Sequence, residues 1–181
     1  SSAASDVYKR QTYTPIATTT LGSDTTTVTF SSISGSYTDL VLVAGFGSNR
    51  DGAGFSIRVG NGSVDTGTNY SNTNLYGTGS SAASDRTTSY SYFSTFPNIG
   101  FSTTLNANNL MISIMNYSNS TTYKTLLSRG NNAAGTNYPG TIASAGLWRS
   151  TSAINTVSLF GGGTDKFLSG STFTLYGITA A

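Results

Sequence analysis

From residue 12 onward the sequence contains no Glu, Gln, His or Cys, and Ser, Thr, Asn and Gly together make up just over half of the chain. Helices are favoured by Glu, Gln, Lys, Ala and Leu, whereas Thr, Val, Ile, Tyr and Phe suit a half-buried strand. The chain is therefore poor in the residues that build helices and rich in those that build strands. The sequence predicts an all-β fold.

Short apolar or alternating runs, each bounded by turn residues, recur along the chain and predict the strands. The predicted strands are residues 13–21, 26–33, 39–46, 55–59, 90–96, 109–117, 123–129, 141–148, 154–160 and 171–178. The run at 39–46 is almost continuously apolar, which predicts a central strand covered on both faces. No segment of ten or more residues has an apolar period of 3.6, so an alternating βαβ architecture is excluded.

Two packed antiparallel sheets in a jelly-roll-like sandwich fit this pattern best, and an Ig-like sandwich is the structural alternative. A chain of 181 residues is of the size of one domain. Residues 60–89 are polar and rich in glycine, and we interpret them as a long loop. Strands of the same character precede and follow that stretch, so residues 12–181 are predicted to form a single β-sandwich domain.

The first eleven residues read SSAASDVYKRQ, which resembles one reading frame of a widely used sequencing adapter. The resemblance implies that residues 1–11 are a non-native arm without a function. The alternative is a genuine polar arm, because SSAASD recurs at residues 80–85. A terminal segment of this composition contributes little to a fold unless something holds it in place.

The carboxylates offer little support for catalysis or metal binding. Asp51, Asp65 and Asp85 fall in polar, loop-like segments, whereas a general acid with a raised pKa usually needs apolar burial. A polysaccharide hydrolase that uses two of them is the enzymatic alternative. Asp51 and Asp65 lie in NRDGAG and NGSVDTG, whose oxygen ligands suit calcium, but the spacing matches no complete calcium loop. We predict no enzyme, no catalytic residue, no cofactor and no metal.

Charge and hydropathy exclude two further classes of partner. Lys and Arg number 9 against 7 Asp, which is far from the basic excess of a nucleic-acid-binding protein. The longest apolar run, residues 40–44, is much too short to cross a membrane. We therefore expect neither nucleic acid binding nor membrane insertion.

Tyrosine is the residue type most suggestive of a binding site, because its ring is apolar and its hydroxyl group is polar. Several tyrosines lie in or just after the polar stretch, together with amide side chains and an arginine. The candidate ligand-binding residues are Tyr70, Asn72, Tyr76, Arg86, Tyr90 and Tyr92. These side chains suit a glycan. For Tyr90 and Tyr92, however, the favoured interpretation is that they face the core or a neighbouring subunit.

Two segments of the sequence resemble a known group of proteins. Residues 12–43, TYTPIATTTLGSDTTTVTFSSISGSYTDLVLV, and residues 168–181, LSGSTFTLYGITAA, are similar to short virion-associated proteins of tailed bacteriophages from environmental phage genomes. Within the middle of the chain the similarity is confined to Lys124 in YKTLL and Trp148 in GLWRS. The resemblance implies a structural or adhesive component of the phage particle, and it identifies no receptor-binding residue.

Together these observations predict a non-enzymatic virion protein at the surface of a phage particle, either in the tail fibre or in another host-attachment component. A homo-oligomer is expected, with a trimer favoured, because strand faces rich in Thr and Tyr can pack against a symmetric partner without burying charge. The expected partners are other virion proteins and a glycan or protein of the host surface. The alternative is a structural protein that decorates the capsid.

Overall fold

The computed structural model describes residues 12–95, 100–132 and 140–179 of the chain. The arm predicted at residues 1–11 and the last residue of the strand predicted at 90–96 lie outside the described residues. The strands within the described residues are β1 (Thr12–Thr20), β2 (Thr27–Phe30), β3 (Asp39–Phe46), β4 (Phe55–Asn61), β5 (Ser63–Val64), β6 (Tyr70–Gly77), β7 (Ala82–Tyr90), β8 (Phe93–Ser94), β9 (Asn108–Met115), β10 (Lys124–Asn132), β11 (Gly140–Trp148), β12 (Thr156–Gly161) and β13 (Thr172–Thr179). The described part contains no helix, and therefore none that is long and apolar enough to cross a membrane.

The strands form two antiparallel sheets that pack face to face. The large sheet has the order β1-β13-β3-β9-β10-β11-β6-β7, and the small sheet has the order β2-β12-β4-β5, with β8 also paired to β4. Pairing is nested: β1 lies beside β13, β2 beside β12, β3 beside β9, and β4 beside β5 and β8. The chain thus changes sheet at every step from β1 to β4, and again at β5–β6, β7–β8, β8–β9, β11–β12 and β12–β13. The predicted two-sheet, jelly-roll-like sandwich is confirmed.

The interpretation of residues 60–89 as one long loop is wrong. These residues form β5, β6 and most of β7, and the β6–β7 hairpin extends the large sheet at one edge. The apolar alternation that normally reveals a strand is missing because the inward side chains of β6 and β7 are mostly polar. Asn72 donates to Asn74 at 2.9 Å, Thr87 donates to Asn72 at 2.8 Å, and Asn74 donates to Asp85. Hydrogen bonds between side chains replace apolar packing there.

The core lies between the sheets and is rich in aromatic side chains. The rings of Phe46, Phe55, Phe101, Phe167 and Phe173 form one cluster, with the centroids of Phe55 and Phe167 only 4.0 Å apart. These rings come from β3, β4, β13 and two connecting segments, so the cluster joins both sheets. Aromatic pairs of this kind add to the stabilisation from burial alone.

The prediction for residues 39–46 is correct in one respect and wrong in another. β3 lies inside the large sheet, between β13 and β9. Its inward side chains are buried, but Val43 points to the outer face and is 41% exposed. The outer face of β3 is therefore covered at Val41, which is 4% exposed, and open to solvent at Val43, so the strand is not buried along the whole of both faces.

Candidate functional site

The outer face of the small sheet carries an arginine and an aromatic ring side by side. In β4, Phe55, Ile57 and Val59 point into the core, so Ser56 and Arg58 point outward. Phe160 of β12 lies directly opposite Ser56 in the register of the two strands. Since side chains opposite one another share a face of the sheet, Phe160 is also directed outward.

Tyr92 completes this aromatic surface because it immediately precedes β8, which pairs with β4. The Tyr92 and Phe160 rings meet edge to face with centroids 5.8 Å apart, and the Tyr90 and Tyr92 rings do the same at 5.3 Å. The guanidinium carbon of Arg58 lies 4.2 Å from the centroid of Phe160, in a cation–π contact. Arg58 also donates through Nε to the carbonyl oxygen of Ser91 at 2.9 Å, which holds it on the ring.

An ion pair closes one end of the same surface. Arg50 donates Nε to Oδ1 of Asp165 at 2.6 Å and Nη2 to Oδ2 at 3.1 Å, and the backbone N–H of Gly54 donates to Oδ2 at 2.8 Å. The Asp165 side chain is only 4% exposed, whereas that of Arg50 is 54% exposed. Gly161 allows the chain to fold back here, because a Cβ at that position would lie 2.2 Å from the carbonyl oxygen of Asp165.

Together these side chains line an open groove of about 400 Å³, which we call the aromatic groove. Its lining residues are Arg50, Gly54, Phe55, Ser56, Tyr92, Ser94, Phe160, Gly162 and Asp165, and Arg58 flanks it on the Phe160 ring. The groove presents ring edges and faces, hydroxyl groups and guanidinium donors to solvent. This combination can stack on an apolar ring face and hydrogen bond to hydroxyl or anionic groups around it.

The structure divides the six ligand-binding candidates into separate groups. Tyr90 and Tyr92 contact each other beside the groove. Tyr70 and Asn72 are buried inside the sandwich, so neither reaches a ligand at the surface. Tyr76 is partly buried against the core, and Arg86 lies on the edge strand β7, opposite Thr73. The six residues therefore form no common site: of the six, Tyr92 lines the candidate groove and Tyr90 contacts Tyr92 beside it.

Tyr70 has a structural environment that explains why it is unavailable to a ligand. Its hydroxyl group accepts from the Val59 N–H, and its one hydrogen is shared between the carbonyl oxygens of Val59 and Asp65, all at 3.0 to 3.1 Å. Burial raises the pKa of Tyr70 well above its ordinary value. The side chain thus connects β6 to β4 across the core, in its neutral form.

The three aspartates considered for hydrolysis or calcium binding have separate partners. Asp51 accepts from the Thr103 N–H at 3.3 Å, Asp85 accepts from Asn74, and Asp65 accepts from Gly67 and Asn69 in a turn. Within the described residues no three Asp side chains come together as a metal site would require. The Asp65 turn matches the Asx-turn interpretation of this segment.

Sequence reasoning missed Arg50, Arg58, Phe160 and Asp165. In the sequence, Phe55, Ile57 and Val59 alternate with Ser56 and Arg58, which indicates that Arg58 faces away from the apolar side, but nothing in the sequence marks its neighbours. Those neighbours are set by the register of β4 with β12 and by the return of the chain at Asp165, both of which join residues about one hundred positions apart. The only local signal was Phe160 itself, an aromatic residue at an outward position of its strand.

Comparisons with known proteins identify no family. No family model matches the chain, and no curated protein matches it. Among solved structures it is similar to a functionally unknown protein from Saccharomyces cerevisiae, at 6% identity, with 94% of this chain and 96% of that chain covered and a TM-score of 0.22.

Proposed function

We propose that this chain is a non-enzymatic protein of a phage particle surface that binds host glycan through the aromatic groove. The observation that carries the proposal is the arrangement of Tyr92, Phe160 and Arg58 on the outside of the small sheet, with the Arg50–Asp165 pair at one end. Sugar rings have an apolar face and a rim of hydroxyl groups. A groove that combines aromatic rings with fixed hydrogen-bond donors complements both.

The groove is built before any ligand arrives, which favours binding. Arg58 is held by Ser91 and by the Phe160 ring, and Arg50 is held by two hydrogen bonds to Asp165. Side chains that are already fixed lose little conformational entropy when a ligand binds. A shallow, preformed groove of this kind suits a repeated surface sugar that is captured by several copies of the protein at once.

The charges in the groove favour an acidic sugar. Arg50 is neutralised by Asp165, whereas Arg58 has no carboxylate partner among the described residues. Its two terminal amino groups donate no hydrogen bond within the described part of the chain, so they are available to a ligand carboxylate or sulfate. A bidentate contact of guanidinium with such a group is stronger than a neutral hydrogen bond.

The location on a phage particle is supported by the resemblance of residues 12–43 and 168–181 to virion-associated proteins. The same resemblance favours a tail-fibre or attachment component that assembles as a homo-oligomer, with a trimer as the favoured state. A capsid decoration protein is the second candidate. The Thr-rich β1–β13 pair favours it, because uncharged strands can pack on a lattice without burying charge.

A glycan array probed with the intact protein tests the binding function. We expect binding to bacterial surface glycans, with stronger signals for those that carry uronic acids or sulfate. Tyr92→Ser and Arg58→Gln should each weaken the signal about tenfold, and Arg58→Gln should weaken it more for acidic than for neutral glycans. Tyr123→Ser, at an exposed tyrosine away from the groove, is the control.

Two results would contradict the proposal in different ways. If the folded protein binds no glycan on the array, the proposed attachment function is wrong. Cryo-EM of whole particles would then locate the chain: density at a fibre tip supports attachment, and density on the capsid lattice supports decoration. Cleavage of a host polysaccharide that Asp51→Asn or Asp85→Asn abolishes would overturn the non-enzymatic assignment.

A further inference from the structure

The outer face of the large sheet carries most of the large apolar side chains that are exposed in the described part of the chain. Eight large apolar side chains are exposed among the described residues, and five of them lie on this face. These five are Tyr13, Val43, Leu75, Met115 and Leu127, with exposed fractions between 41% and 63%. A contiguous apolar surface on a folded protein usually marks a contact with another molecule.

The register of the strands shows which outward side chains lie between these exposed apolar residues. One row across the sheet runs from Val43 through Met111, Arg129 and Ala143 to Leu75. The next row runs from Val41, which is only 4% exposed, through Ser113, Leu127 and Ala145 to Thr73. The centre of this face is therefore mainly aliphatic, with one cation.

Polar residues border that centre on two sides. At the β1–β13 edge, Thr18 and Thr174 share a hydrogen bond of 3.1 Å, and Thr20 and Thr172 share one of 3.2 Å. Along one end of the strands lie Asn109, Asn131 and Thr141, which oppose one another in the register. An apolar centre with a polar rim and few charges is the usual anatomy of a protein–protein interface.

The charges on this face are few and well separated. Arg129 lies in the centre, where Nη2 contacts Sδ of Met111 at 3.1 Å, and Arg86 lies on the β7 edge. Among the described residues of the face the single carboxylate is Asp39, at the start of β3, where it accepts from the Asn116 N–H at 2.6 Å. A second copy that covers the centre brings an Arg129 of its own, so the two guanidinium groups must lie apart from each other or reach solvent when the aliphatic surface is buried.

The face is also large enough for a stable contact. Eight strands about 4.8 Å apart span about 34 Å, and strands of about eight residues are about 26 Å long, which gives an area of about 900 Å². A standard interface buries about 800 Å² on each partner. Three depressions of about 280, 390 and 310 Å³ surround Arg129 on this face and can receive the side chains of a partner.

We propose that this outer face packs against a second copy of the same chain. Two such sheets stacked about 10 Å apart would place one aliphatic centre against the other, as the two sheets within a sandwich do. The centre lacks the aromatic rings expected of a sugar site, and its single cation is too little for nucleic acid. Because the aromatic groove is on the opposite side of the sandwich, it stays open in the assembly.

Light scattering of the purified chain at about 100 μM, well above the dissociation constant of a standard-size interface, tests the proposal. We expect the mass of a dimer, because a face that packs against itself closes after two copies. Leu127→Glu and Leu75→Glu should each weaken assembly about tenfold or more, and the double variant should be a monomer. Leu105→Glu is the matched control, because Leu105 is 43% exposed but lies in the turn before β9, away from this face.

Circular dichroism and thermal melting should show that all four variants are folded, since each substituted side chain is exposed. A monomeric wild-type protein would overturn the proposal and would leave this face to a different partner. Assembly that survives the double variant, or that Leu105→Glu disrupts equally, would overturn it as well. Neither result bears on glycan binding, which is measured separately.

Discussion

The indole N–H of Trp148 donates to Oδ2 of Asp65 at 2.7 Å, and this hydrogen bond joins the end of β11 to the turn after β5. The same carboxylate accepts from Asn69 at 2.8 Å and from the Gly67 N–H at 2.7 Å. Burial alone would raise the pKa of Asp65, but these three hydrogen bonds outweigh burial and lower it. The charged form of Asp65 therefore stabilises the folded protein.

Replacing that carboxylate should lower the stability of the protein and change how that stability depends on pH in acid. We expect Asp65→Asn to reduce the free energy of unfolding by about 2 kcal/mol at neutral pH, because hydrogen bonds to a charged group are lost. In the wild type this stabilisation is fully present above the ordinary pKa of 3.8 and is lost as the pH falls through the lower pKa of the folded protein. Urea unfolding followed by Trp148 fluorescence measures both effects. Acid curves that stay parallel for the two proteins would contradict this account.

Glycine at position 146 is required by a close contact with an aromatic ring. A Cβ on Gly146 of β11 would lie 2.1 Å from the ring of Phe93, which is fully buried. We expect Gly146→Ala to cost about 1 to 3 kcal/mol, because the ring must move within a packed core. Gly22→Ala, where no atom lies within 4 Å of the new Cβ, is the control and should change stability by less than about 0.5 kcal/mol. Equal effects of the two substitutions in thermal or urea unfolding would show that Phe93 moves freely.

Strands in which apolar and polar residues alternate clearly were predictable from the sequence, whereas the β6–β7 hairpin was not. Residues 171–178 alternate Phe173 and Leu175 with Thr172, Thr174 and Tyr176, and this segment forms β13 almost as predicted. In β6 the inward positions include Asn72 and Asn74, which other side chains satisfy by hydrogen bonding. A pattern of apolar residues cannot reveal such a strand, because its inward face is polar.

The groove was only partly predictable for a related reason. Tyr90 and Tyr92 could be named because aromatic residues beside a polar stretch are informative by themselves. Arg58 and Phe160 could not be paired, because their contact depends on how β4 and β12 align, and that alignment joins residues about one hundred positions apart. Local sequence therefore suggests individual ligand-binding residues, and long-range register decides which of them meet.

Removing Arg50 and removing Asp165 should lower the free energy of unfolding by different amounts. Asp165 is almost completely buried and Arg50 is half exposed, so an unpaired Arg50 can be hydrated and an unpaired Asp165 cannot. We expect Arg50→Gln to cost about 2 to 3 kcal/mol and Asp165→Asn about 1 kcal/mol. Urea unfolding of both variants and of the double variant gives the coupling between them. A larger loss for Asp165→Asn than for Arg50→Gln would show that hydration of Arg50 is more restricted than its exposure indicates.

Lys124 should make stability depend on alkaline pH. Its side chain is fully buried, and Nζ donates to the carbonyl oxygens of Thr122 at 2.7 Å and Thr151 at 3.2 Å. Burial lowers the pKa of Lys124 from its ordinary value of 10.5, because the charged form is desolvated. Between the folded pKa and 10.5 the unfolded chain binds more protons, so the free energy of unfolding rises with pH in that window.

Comparing the wild type with Lys124→Met separates the effect of Lys124 on stability from the effect of the buried tyrosines. Burial raises the pKa of Tyr70 and Tyr117, which lowers stability at high pH equally in both proteins. The wild type should therefore gain stability relative to Lys124→Met as the pH rises towards 10.5, by at most about 1.4 kcal/mol per pH unit. Lys166→Met, at an exposed lysine, is the control, and its curve should run parallel to that of the wild type. Urea unfolding between neutral pH and pH 10 measures the free energy of unfolding of the three proteins as a function of pH. If the difference between wild type and Lys124→Met stays constant over that range, Lys124 keeps its ordinary pKa in the folded protein.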